Sequence, residues 1–158
     1  MLKNCVKVSL LSSALSAMLL VGGAAADEPD QKILVSGQEV LRIYSGKTWV
    51  WSPGEGGAYW GTDGSFQAFW QDSVGVGKWF ATSNGNVCYD AKWRSAMGDG
   101  SSSERQCWQH VRDSEGVLWK RDPRSRDWYI AEFEPGNSIV PGNTIAAEVG
   151  KLRGQTGF

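Results

Sequence analysis

The stretch Gly77-Lys78-Trp79-Phe80-Ala81-Thr82-Ser83-Asn84-Gly85-Asn86-Val87-Cys88-Tyr89-Asp90-Ala91-Lys92-Trp93-Arg94-Ser95 decides the fold. In its second half Val87, Tyr89, Ala91 and Trp93 alternate with Cys88, Asp90, Lys92 and Arg94. Successive side chains of a strand point to opposite faces, so this pattern predicts a strand with the aromatic set turned inward. The pair Asn84-Gly85 separates two such runs and tolerates the positive φ of a tight hairpin turn.

The same period of two extends in both directions. It predicts strands over 47–52, 57–62, 65–71, 77–82, 86–95, 105–112, 117–121 and 127–133. Asp63-Gly64, Pro53-Gly54 and Ser114-Glu115-Gly116 supply further turns. About eight short strands on short connections describe a mainly β, antiparallel up-and-down meander. Closure into a small lipocalin-like barrel, or a strongly curved half-barrel, would remove the exposed edges of such a sheet. A flat sandwich is the alternative. The Gly/Ser-rich stretch 97–103 is expected to be a loop.

Short helices flank the strands. Ser36 and Glu39 fit a capping box, Val35 and Val40 a hydrophobic staple, and Gly46 a stop. A second helix is expected after Phe133, capped by Thr144, with Ile145, Val149 and Leu152 on one face.

The beginning of the chain has a different character. Lys3 and Lys7 precede an apolar run from Val8 to Val21, and Ala24-Ala25-Ala26 offers small residues before Asp27. This predicts a cleaved signal peptide over 1–26 and a single domain over 27–158, periplasmic or secreted, with no membrane span after cleavage. An uncleaved anchor is the alternative. The chain has 16 basic and 17 acidic residues, and two of the basic ones lie in the leader. With no basic surface, nucleic acid is not an expected partner.

Cys5 belongs to the leader, which leaves Cys88 and Cys107. Export predicts that they form a disulfide. If they bridge neighbouring antiparallel strands they share a face, and Trp108, His110 and Arg112 then turn inward beside Tyr89 and Trp93. Glu132 is one candidate counter-ion for Arg112. Two cysteines and the single histidine, His110, make a poor zinc set, so no metal or cofactor is expected.

All nine tryptophans follow the leader. They serve either to fill a core or to line a cavity, because an indole combines a large apolar face with one polar N–H. Tyr89, Trp93, Trp108, His110 and Arg112 are the candidate ligand-binding residues. No nucleophile or metalloprotease motif occurs, so no catalytic residue is assigned and the chain is not expected to be an enzyme.

Gly46-Lys47-Thr48-Trp49, Asp63-Gly64-Ser65-Phe66, Gly77-Lys78-Trp79, Asn86-Val87-Cys88 and Cys107-Trp108-Gln109-His110, with Tyr59 and Trp119, carry a resemblance. Over 35–152 the chain resembles the domain of unknown function 995 family of small exported bacterial proteins. The resemblance implies an envelope location and this arrangement of two cysteines, and brings no activity. The expected function is an exported, non-enzymatic protein that binds a small apolar or glycan-like ligand. The alternatives are an envelope structural or protein-interaction domain, and a hydrolase using His110.

Overall fold

The computed structural model describes residues 28–131 and 138–158; the expected leader, Glu132 and Phe133 lie outside the described residues. The elements are β1 (Ile33–Leu34), α1 (Gly37–Tyr44), β2 (Lys47–Ser52), β3 (Gly56–Trp60), β4 (Ser65–Trp70) and β5 (Ser73–Ala81). They continue with β6 (Asn86–Ser95), β7 (Ser101–Arg112), β8 (Leu118–Arg121), β9 (Trp128–Ile130), β10 (Ser138–Pro141) and α2 (Ala146–Thr156). The sheet runs β10-β2-β3-β4-β5-β6-β7-β8-β9, each neighbour antiparallel, with β1 added beside β7. The eight expected strands are β2 to β9. Among the described residues β9 and β10 do not pair, so the sheet is a curled half-barrel.

Two turns show why the hairpins form where they do. Gly64 and Gly85 both take φ of 81°, a conformation open to glycine and strained for residues with a Cβ. Two strands outrun their sequence signal. β5 begins at Ser73 because Val74, Gly75 and Val76 stay in register with both β4 and β6. β7 begins at Ser101, so the expected loop over 97–103 is in part a strand: Ser101, Ser102 and Ser103 pair with Arg94, Trp93 and Lys92. β1 and β10, two and four residues long, carried no readable period.

The inner face is aromatic. Trp49, Trp60, Phe66, Trp79, Tyr89 and Trp108 form one core with Val35, Val40 and Tyr44 of the α1 segment. That helix starts as expected, Ser36 Oγ accepting from the Glu39 N–H at 3.2 Å. Its docking plugs one end of the half-barrel. On the outer face Ile145, Val149 and Leu152 cover Phe69 and Val74, each contributing about 2 kcal/mol by burial. Ile145, and not Thr144, is the N-cap of α2 and makes no side-chain cap bond. The Thr144 N–H instead donates to Thr48 Oγ1 at 3.0 Å.

Cys88 and Cys107 stand directly opposite each other on β6 and β7 and are disulfide-bonded, their Cα atoms 4.1 Å apart. Cys88 has the outward parity expected of it, yet is 1% exposed. Closing a loop of 19 residues removes unfolded-state entropy worth about 3 kcal/mol. A Cys88→Ala/Cys107→Ala protein is therefore expected to fold with stability lower by about that amount. Urea unfolding of native and variant proteins checks this; equal midpoints would contradict it.

Candidate functional site

At the end opposite α1 the half-barrel stays open and holds a cleft of about 830 Å³. Its walls come from an unequal distribution of side-chain size across the inner face. Trp49, Ala58, Ala68, Gly75 and Trp93 are aligned in register across β2 to β6. The three small residues between the two tryptophans leave the space into which the indoles lean. Gly75 is the sharpest case, because a Cβ there would lie 2.6 Å from the Trp93 ring. Gly56 does the same for its partner Trp70, whose ring would be 2.3 Å from an added Cβ.

One wall of the cleft is a continuous run of rings from mouth to floor. Trp70 meets Trp51 at 6.4 Å between centroids, Trp51 meets Trp49 at 6.2 Å, and Trp49 meets Trp108 at 5.3 Å. Tyr89 closes the run 5.7 Å from Trp108. Trp70 is 41% exposed and Tyr129 38%, so the mouth presents aromatic surface to water.

The facing wall, from β7 and β8 and the turn after β8, is polar. Glu104 is its centre: Oε1 accepts from Gln106 Nε2 at 2.6 Å and from Arg124 Nη2 at 2.6 Å. Its Oε2 accepts from the Tyr89 hydroxyl at 2.9 Å. Burial first, and then the Glu104 carboxylate, push the Tyr89 phenol far above its usual range, so it stays an O–H donor. Lys120 is 5% exposed and lies over the Trp49 ring, its Nζ 4.2 Å from the centroid. Among the described residues seven aromatic and seven polar side chains line the cleft, two of the latter acidic and two basic.

Of the candidate binding residues, Tyr89, Trp93 and Trp108 line this cleft. His110 and Arg112 do not, although they share the inward face of β7. Strand parity gives the side of a sheet and not the level along it, and these two stand at the plugged end. His110 is fully buried. Its Nδ1 lies 3.2 Å from the Gly85 carbonyl oxygen, which can only accept, so Nδ1 carries the proton. Nε2 then accepts from the Tyr44 hydroxyl at 2.7 Å. Arg112 pairs with Glu39 of α1 at 2.7 Å; Glu132, the counter-ion expected from the sequence, lies outside the described residues.

The site also contains residues that no candidate list from sequence included. Trp51 shares the parity of Trp49, and Gln106 that of Trp108 within the expected strand; Glu104 joins them once β7 is extended to Ser101. Arg124 sits on a turn and had no periodic signal. Among the described residues no group of three or more metal-ligating side chains converges, and no helix is long and apolar enough to cross a membrane.

Burial of His110 has a measurable consequence. Desolvation, with a smaller effect from Lys120, lowers its pKa from 6.5 to about 4. Between those values the unfolded chain takes up a proton that the folded protein does not. Stability therefore falls as pH drops from about 6.5 to about 4, by on the order of 3 kcal/mol for this one group. A His110→Gln protein is expected to lose that share of the pH dependence. Urea midpoints of both proteins across this window test it; parallel profiles would contradict it.

Comparison with known proteins places the fold in context. No match was found among curated proteins or among solved structures. The family described as protein of unknown function (DUF995) matches residues 10–143. The match spans every strand from β1 to β10, and the chain belongs to this family.

Proposed function

We propose that the protein is an exported, non-enzymatic binding protein whose open cleft takes a small ligand with an apolar or glycan-like surface. The observation that carries this is the concentration of Trp49, Trp51, Trp70, Trp93 and Trp108 around one open cleft of about 830 Å³. Small-ligand sites fall at about 300–1,000 Å³ and combine aromatic walls with a few placed polar groups. Core filling alone would not leave Trp70 41% exposed at a mouth. Export rests on the leader pattern of residues 1–26 and on the Cys88–Cys107 pair.

The hydrolase alternative draws little from His110. Both ring nitrogens are engaged, by Tyr44 and Gly85, inside the plugged end. A protein-interaction role rests on a different feature, the adjacent Ile33 and Leu34 of β1, which are 53% and 59% exposed.

Intrinsic tryptophan emission, titrated with lauric acid and with soluble oligosaccharides, tests the binding role. At least one class is expected to give a saturable change that Trp51→Ala removes. Silence toward both classes would overturn it.

A further inference from the structure

Resting on the cleft as a ligand site, we infer that its ligand is an uncharged oligosaccharide. Its ring faces lie on Trp51 and Trp70, and its hydroxyls turn to the wall formed by Glu104, Gln106 and Arg124. The inference follows from how the two walls differ. One side of the cleft is the indole run Trp70–Trp51–Trp49. The other carries a carboxylate, a carboxamide and a guanidinium, planar groups linked to one another and to Tyr89 by hydrogen bonds.

A sugar ring has the matching asymmetry. Its axial C–H bonds make one flat, weakly apolar face with positive edges that suit the negative face of an indole. Its equatorial hydroxyls each donate and accept, and they need planar partners held at fixed angles. Among the described residues Glu104 Oε2 takes one hydrogen bond, from Tyr89, and a carboxylate oxygen has room for a second. Arg124 uses Nη2 on Glu104 while its side chain remains 75% exposed, so further N–H donors of its fork face water. Tyr89 and Gln106 fix the carboxylate from behind. The polar wall is thus preorganised and not fully used.

An acyl chain fits this cleft badly. It would cover Glu104, Gln106 and Arg124 without offering them a hydrogen bond, which penalises burial of each group. An anionic headgroup would also meet Glu104 and Asp122, and among the described residues the lining carries as many acidic as basic side chains. Charge therefore provides no net attraction for an anion. An uncharged, hydroxyl-rich ligand satisfies both walls. The open mouth, with Trp70 and Tyr129 exposed, leaves room for more than one ring in a row.

The test is calorimetric titration of the full mature chain with four probes. These are tetrasaccharides of α-linked glucose, of β-linked glucose and of N-acetylglucosamine, and lauric acid. The expected result is saturable binding of at least one tetrasaccharide and none of lauric acid. Trp70→Ala, at an exposed position, is expected to weaken that binding about tenfold. Glu104→Gln, which keeps the shape but removes the charged acceptor, is expected to weaken it by at least as much. Both variants should keep the native circular dichroism spectrum. Binding of lauric acid with no response to any sugar would overturn the oligosaccharide assignment and leave the cleft a ligand site. Absence of any binding would overturn both. Sugar binding that neither substitution changes would place the ligand elsewhere and overturn the assignment as well.

Discussion

The structure depends on a mismatch of side-chain size along the inner face of one sheet. Ala58, Ala68 and Gly75 lie in register between Trp49 and Trp93, and the rings occupy the volume that larger residues would fill. A β-sheet with large residues at every inner position would have no concavity. One with small residues throughout would have no apolar surface to bury. Placing a run of small residues between two large ones lets the sheet curl around its own indoles while each indole remains packed on a neighbour.

The same constraint explains why the two ends differ. Toward α1 the rings are crowded: Phe66 and Tyr89 stack at 4.3 Å, and Trp60 packs edge-on against Phe66 and Trp79. Val35, Val40 and Tyr44 complete that core, and His110 is held neutral within it by Tyr44 and Gly85. Toward the opposite end α2 lies on the outer face, and among the described residues no helix covers the inner one. There the rings that would otherwise be core become walls, and the charged groups of β7, β8 and the turn after β8 reach inward to meet them. The sealed end holds the strands in register, and the open end uses that register to space an aromatic wall from a polar one.

Much of the fold was legible because the chain obeys local rules. Strands β2 and β6 were readable to the residue, since alternation agrees with Gly46 before the first and the Asn84-Gly85 turn before the second on where each begins. The cysteine pair was readable from the cysteine count and the expectation of export, and the parity of Trp108 followed from it. What escaped was long-range. β10 reaches its place only by pairing with β2, from Ser138↔Val50 to Pro141↔Lys47, and nothing local announces it. The early start of β7 depends on β6 extending far enough to pair with serines that alone look like a loop. The site was half legible for a related reason. Parity assigned Tyr89, Trp93, Trp108, His110 and Arg112 to one face, but only the position of α1 decides which of them sit under the plug. Glu39, expected to close a capping box, pairs with Arg112 instead, a contact across 73 residues of sequence.

The central claim is that the indoles divide by position: those at the open end meet a ligand and those at the sealed end do not. The most direct measurement is the ¹H–¹⁵N spectrum of the indole N–H groups of the nine tryptophans, recorded while a binding ligand is added. The division predicts shifts for Trp51, Trp70 and Trp93, with Trp60 and Trp79 unmoved. Shifts confined to Trp60 and Trp79, or spread evenly over all nine, would contradict it.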